Sequence, residues 1–210
     1  MKQTISVAYK VYNEIDFLPL SVEQVDKLAD EFVFVVDDRT DDGMLEWLRE
    51  RAKNDERYKI YVRKFDTHVG QKNYLLKQCT KDWVLFLDGD EVLGDEDWKV
   101  IRLAIELKEY NIFTLEGIHF LYSLKVIDTA LPTHLWQGRL VRRTEELHFK
   151  GENHELIAGW KQQHRILKEV TVYHLGYVRQ LIRILRKYEE DMMIQQIHTP
   201  EFLNTWKDWH

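Results

Sequence analysis

The sequence predicts an α/β fold: a mostly parallel central sheet flanked by helices, with a small second lobe. Two observations predict it. In the first half of the chain, short apolar runs alternate with segments of helical periodicity, the pattern of repeated strand–helix units. Three of those apolar runs end in polar or acidic clusters, at Lys10–Glu14, Asp37–Asp42 and Asp88–Glu91. Right-handed crossovers make such strands parallel and bring their carboxyl ends to one edge, where α/β sheets receive ligands.

The elements follow in order. Thr4–Tyr9 reads as a short buried strand. Glu14–Asp30 reads as a helix, with Phe17, Leu18, Val22, Val25 and Leu28 at helical spacing. Phe32–Asp37 (FVFVVD) is a second strand and Gly43–Asn54 a second helix. Tyr58–Val62 is a third strand, Gln71–Cys79 a third helix, and Trp83–Asp88 (WVLFLD) a fourth strand. Asp95–Tyr110 reads as a helix begun by acidic residues, which suit its positive end. Beyond it, strands are expected in Ile112–Ile127, Arg139–Val141 and Val170–Tyr173. A long helix is expected over Val178–Met193, with an aromatic tail to His210. The chain has 210 residues, the size of one domain at about 150 residues each. One domain is therefore expected over 1–210, with a first half (1–110) that carries the strand–helix units and a second half (111–210) that ends in C-terminal helices.

Composition narrows the class. The chain is 44% apolar and 31% charged, which excludes a disordered protein. The longest purely apolar runs, such as Phe32–Val36, fall far short of the roughly 20 residues of a membrane-spanning helix. The N-terminal MKQTISVAYK lacks the apolar stretch of a signal peptide, and the single Cys79 rules out an internal disulfide. A reducing, cytoplasmic setting is expected. The net charge of −6 argues against a nucleic-acid binder. It is compatible with an anionic ligand held through a divalent metal, for which the protein supplies carboxylates.

The segment VLFLDGDEVLGDE carries the strongest chemical signal. Asp88 and Asp90, two apart after an apolar strand, point the same way in extended backbone, and Gly89 lets a ligand approach. Two aligned carboxylates call for a cation, and Mg²⁺ or Mn²⁺ with a substrate phosphate is the natural one. A solvated acidic turn capping the next helix is the plainer alternative. VLFLDGDEVL also resembles the signature of haloacid-dehalogenase-like phosphatases, with Asp88 as the phosphoryl acceptor. That motif normally opens its fold, whereas three strands precede it here.

Read as a whole, the order of motifs resembles family 2 glycosyltransferases of the GT-A fold, of the short bacterial lipopolysaccharide-core type. VYNE (Val11–Glu14) is similar to the family's opening NE pair, and VVDDRTDDG (Val35–Gly43) to its VVDDGSTDG. GQKNYLLKQCTKDWVLFLDGDE (Gly70–Glu91), RLVRR (Arg139–Arg143), GENHE (Gly151–Glu155) and YHLGY (Tyr173–Tyr177) resemble later blocks. The chain departs from the pattern at Arg39, where Gly is usual, at Asp41, often Thr, and at Lys72, where Arg is preferred. Lys10 and Val11 replace a Pro-containing loop.

The resemblance implies a metal-dependent, inverting transfer of a sugar from a nucleoside-diphosphate donor, UDP-linked by expectation, to an acceptor hydroxyl. It places Asn13, Glu14, Asp37, Asp38, Lys72 and Asp88 at the nucleotide, Asp37 or Asp38 taking the base N–H. Asp90 and His174 would hold Mn²⁺ or Mg²⁺. Inversion needs a base opposite the leaving group, within about 3 Å of the acceptor hydroxyl. Glu155 is the candidate, with Asp128 as the alternative. His154–Glu155 is not a zincin motif, because residue 158 is Ala. Lys72, Asn73 and Arg139 are candidates to steady the diphosphate. Trp136, Arg139, His154 and Trp160 are weaker candidates for the acceptor, which could be a glycan, lipid or protein. Arg179, Arg183, Arg186 and Lys187 beside an apolar stripe imply either core packing or peripheral contact with an anionic membrane surface. A nucleotide-binding module without turnover is the non-enzyme alternative.

Overall fold

The computed structural model describes residues 2–129, 138–151, 155–160 and 163–179. The four apolar runs form β1 (Ile5–Val11), β2 (Glu31–Asp37), β3 (Tyr58–Arg63) and β4 (Trp83–Asp88). Every residue of β2 is buried, as a central strand covered on both faces must be. These strands pair in parallel in the order β3-β2-β1-β4. Helices α1 (Leu18–Gln24), α2 (Met44–Asn54) and α3 (His68–Gln78) make the crossovers. Helix α4 (Asp97–Ala104) follows β4.

The second half extends the same sheet. Strands β5 (Glu91–Leu93), β6 (Tyr110–Leu121), β7 (Leu140–Arg142) and β10 (Gln163–Tyr177) complete the eight-stranded order β3-β2-β1-β4-β7-β6-β10-β5. Strands β8 (His148–Lys150) and β9 (Leu156–Ala158) form a separate antiparallel hairpin. β5 begins two residues after β4 ends, yet pairs with the far half of β10, at Val172–His174. This pairing draws His174 against Glu91 and so toward the acidic turn.

Several boundaries differ from the sequence expectation. α1 stops at Gln24 instead of Asp30; Pro19 fixes its start, and the Asp30 carboxylate turns back to accept from the Ile5 N–H at 2.9 Å. α4 stops at Ala104, because the chain must reverse before β6 opens at Tyr110. β10 is far longer than Val170–Tyr173, since its first half is mostly exposed and lacks an apolar signature. Apart from Val178 and Arg179, the C-terminal helix and tail lie outside the described residues. No helix among the described residues is long and apolar enough to cross a membrane.

Strand alternation divides the core into two layers. Tyr9, Phe34, Trp83 and Leu85 pack on one face of the sheet with Phe113. Ala8, Val33, Val35, Val84 and Phe86 face the other way, under Leu75 and Leu76 of α3 and Phe149 and Ile157 of the hairpin. One step of two residues beyond Ala8, Val35 and Phe86 reaches Lys10, Asp37 and Asp88. All three therefore emerge on the face covered by α3 and the hairpin.

At the opposite edge Arg57 ties the ends of two helices together. It pairs with Asp55 at 2.7 Å and Asp26 at 2.6 Å, and donates to the Asp26 and Ala29 carbonyls. Its guanidinium also lies over Phe32. Replacing Arg57 by Met removes these hydrogen bonds together and should cost about 1–2 kcal/mol in a urea melt.

Candidate active site

A cavity of about 210 Å³ opens where β1, β2 and β4 end. Lys10, Asp37 and Asp88 come from those strands. His68 and Lys72 of α3, Glu155 at the start of the β9 arm, and His174 of β10 complete the walls, with Glu14 and Asp90. Residues up to 164 positions apart thus share one space.

One end of the cavity is built around Asp37. Its buried carboxylate receives Arg39 in two-pronged fashion, Nε to Oδ1 at 2.9 Å and Nη2 to Oδ2 at 2.6 Å. The guanidinium sits between two rings, 5.0 Å from the centre of Tyr12 and 5.2 Å from that of Phe65. Asp38 is exposed and does not line the cavity. Asp42 braces the start of α2, accepting from the N–H groups of Met44 at 3.0 Å and Ile15 at 2.9 Å. Asn13, at φ 52°, exchanges two hydrogen bonds with Asp41 and so clips the β1 loop to the β2 loop. It supports the cavity without lining it.

Burial opposes the Asp37 charge, but the Arg39 hydrogen bonds outweigh it and hold the carboxyl below the usual carboxylate range. A depressed folded-state pKa stabilises the fold above the ordinary value of about 4 and loses that contribution as pH falls through the native value. Asp37→Asn should therefore lower the melting temperature at pH 7. The gap from wild type should narrow below about pH 4.

The acidic turn forms the other end. Asp90 is buried, while Asp88 is about a third exposed to the cavity. The Asp88 N–H donates to Glu91 Oε2 at 2.8 Å, and Arg139 pairs with Glu91 Oε1 at 2.7 Å. Glu91 is wholly buried; burial pushes its carboxyl up and Arg139 opposes this. Arg139, expected at the diphosphate or acceptor, instead lies beneath the turn, 3.6 Å from Asp88 Oδ2, and fixes it from behind. Asn73, also expected at the diphosphate, bonds both ways with the Phe149 backbone and anchors the hairpin to α3.

Asp90 has two cationic or basic neighbours. Its Oδ2 accepts from Arg179 Nη2 at 3.3 Å, and Arg179 also pairs with Glu14. Its Oδ1 lies 3.7 Å from His174 Nε2, beyond hydrogen-bond range. Two donors each about 2.1 Å from one ion stand roughly 3–4 Å apart, so this pair fits a shared divalent cation. Among the described residues no three His, Cys, Asp or Glu side chains converge on such a position. Asp90 and His174 would thus supply two donors and leave the rest to phosphate and water, the usual Mg²⁺ arrangement.

Two glycines make the approach possible. A Cβ at Gly89 would lie 2.8 Å from the Glu14 side chain, and one at Gly176 would lie 2.7 Å from Asp90 Oδ2 and 2.8 Å from His174 Cε1. Gly176→Ala should disturb the Asp90–His174 pair while sparing the fold. We expect an activity loss of about tenfold or more with little change in melting temperature.

The third wall is basic. Lys10 Nζ lies 3.1 Å from Glu155 Oε1 and 2.8 Å from His68 Nδ1, which must accept because an ammonium only donates. Lys72 Nζ lies 3.5 Å from Glu155 Oε2 and over the Phe149 ring. Burial opposes the Glu155 charge, but Lys72 and Lys10 together hold its carboxyl below the usual range. Burial and Lys72 push Lys10 down, against Glu155.

The structure thus brings together Glu14, Asp37, Lys72, Asp88, Asp90, Glu155 and His174. Trp160 is exposed, donates to the Ile157 carbonyl at 3.3 Å and does not line the cavity; neither does Asp128. Trp136 and His154 lie outside the described residues. Sequence reasoning gave no role to Lys10, His68 or Phe65, and treated Arg179 only as part of a helix. The run of paired strands could have flagged Lys10, because it continues the buried face of Ala8.

No curated protein matches the sequence. Among solved structures, the fold is similar to that of S. aureus TarS 1-349 in complex with UDP-GlcNAc, at 24% identity and TM-score 0.46, over 55% of this chain and 35% of that one. A further structure of S. aureus TarS 1-349 matches at 21% identity and TM-score 0.47, over 66% of this chain and 47% of that one. The mannosyltransferase PcManGT from Pyrobaculum calidifontis, in complex with GDP-Man and Mn2+, matches at 14% identity and TM-score 0.48, over 55% and 36%. The chain therefore spans between about a third and a half of these structures' length. The family model described as "Glycosyl transferase family 2" matches residues 6–160, about three quarters of the chain, and supersedes the phosphatase reading of Asp88. With β2, β3, β4 and the acidic turn inside that span, the chain belongs to glycosyl transferase family 2 and has a fold of the GT-A type.

Proposed function

We propose that the chain moves a sugar from a nucleoside-diphosphate donor, UDP-linked, to an acceptor hydroxyl by a single inverting displacement. The observation that carries this reading is one cavity at the carboxyl ends of β1, β2 and β4 that holds acidic, basic and imidazole groups together. Asp37 receives a base N–H, and Arg39 offers its remaining N–H groups to a neighbouring base carbonyl. Asp88 takes the ribose hydroxyls. Lys72 faces the diphosphate. Asp90 and His174 hold Mn²⁺ or Mg²⁺, with Arg179 orienting Asp90 from its other oxygen. The ion, when bound, neutralises charge building on the leaving diphosphate. Glu155 removes the acceptor proton.

The acceptor is a glycan, lipid or protein hydroxyl, reached in the cytoplasm or at the membrane surface. A screen of UDP-, GDP- and dTDP-sugars with Mn²⁺ or Mg²⁺, scored for nucleotide release, tests the reading. Release from a UDP-sugar is expected. Nucleotide binding without release from any donor would mark a module that binds and does not turn over.

A further inference from the structure

Glu155 sits in an arrangement ill-suited to a base at rest. Lys10 holds one carboxylate oxygen at 3.1 Å and Lys72 the other at 3.5 Å. Both ammonium groups favour the anion and so weaken its pull on a proton. Lys10 is further fixed by His68 at 2.8 Å. Two ammonium groups on one carboxylate make this wall of the cavity locally basic. That wall faces the acidic turn, because β1 and β4 pair Lys10 with Asp88 in register on the same face of the sheet. A diphosphate entering this space carries more negative charge than one carboxylate and offers more acceptor oxygens.

We propose that the donor's diphosphate takes Lys10 and Lys72 away from Glu155, so that donor arrival frees the base. The proposal rests on the glycosyltransfer reading above and adds an order of events to it. Without donor, Glu155 is the counter-ion that keeps two partly buried lysines charged and aimed. With donor, the lysines turn to the diphosphate oxygens and Glu155 faces the acceptor. The acceptor hydroxyl then gives its proton to the Glu155 carboxylate while its oxygen bonds to the anomeric carbon. The bond from that carbon to the phosphate oxygen breaks, and its electron pair leaves on the nucleoside diphosphate. When the product departs, the lysines return and Glu155 loses its proton to water. Donor must therefore bind before acceptor is activated.

The test is calorimetric titration of the full chain with UDP and with uridine, at pH 7 and fixed salt. The UDP-to-uridine affinity ratio isolates the diphosphate. Lys10→Met should lower that ratio about tenfold, and Lys10→Arg should restore most of it. Glu155→Gln should raise it about threefold or more, because the lysines no longer have a competing anion. A merely structural role for Glu155 would not tighten UDP. An unchanged ratio in Lys10→Met, or one that does not rise in Glu155→Gln, in variants that are fully folded at the titration temperature, overturns the proposal alone. If the wild-type chain does not take up UDP, the UDP-linked functional reading fails, and the proposal falls with it.

Discussion

Glu155→Gln should abolish sugar transfer, by about a thousandfold or more, while leaving the nucleotide in place. General-base catalysis contributes about 10²–10⁴-fold when the base is positioned at the reacting hydroxyl. The amide keeps the shape of the carboxylate and its contact with the hairpin backbone, but has no charge with which to accept a proton. Because both lysines already neutralise Glu155, removing its charge relieves the fold of no repulsion and leaves it two partly buried ammonium groups without their counter-ion. A modest fall in melting temperature is therefore expected alongside the large fall in turnover. The measurement is product formation against nucleotide affinity on the same preparation. Transfer at wild-type rate in Glu155→Gln would return the search for the base to other carboxylates.

Asp90→Asn should lower metal-dependent turnover by about a thousandfold, the equivalent of several kcal/mol of transition-state charge stabilisation. Asp90 is buried and its two oxygens do different work. One meets Arg179 and the other stands 3.7 Å from His174. The amide can still accept from Arg179 through its oxygen, but then presents an NH₂ group to the ion. Raising Mn²⁺ should recover part of the rate in Asp90→Asn, and none in a variant lacking His174 as well. Activity that ignores both Asp90→Asn and chelation would detach this turn from the chemistry.

Much of the nucleotide-binding half was legible because its signals are local. Four apolar runs bounded by turn residues marked β1 to β4, and the polar clusters after three of them marked one edge of the sheet. The alternation that buries Ala8, Val35 and Phe86 also aims Lys10, Asp37 and Asp88, so the site is continuous with the strand pattern. The rest depends on contacts between distant segments. The three-residue strand β5 has no periodicity to read, yet it brings His174 to the acidic turn. The β8–β9 hairpin delivers Glu155 to Lys10, 145 positions earlier, and no spacing rule reports that pairing. Arg139 carries the charge expected of a phosphate ligand, but the buried Glu91 claims it. Arg179 follows β10 and reaches Glu14 and Asp90 only because Gly176 lets the strand end close on the turn.

The central claim is that one cavity holds the donor's base at Asp37 and its diphosphate between Asp90 and the Lys10–Lys72 pair. A crystal structure with UDP and Mn²⁺ tests it most directly, because the anomalous signal of manganese locates the ion independently of the nucleotide. We predict manganese between Asp90 and His174, the uracil at Asp37 with Arg39, and both lysines turned from Glu155 to the diphosphate. Nucleotide bound away from Asp37, or manganese bound without Asp90, would contradict the account.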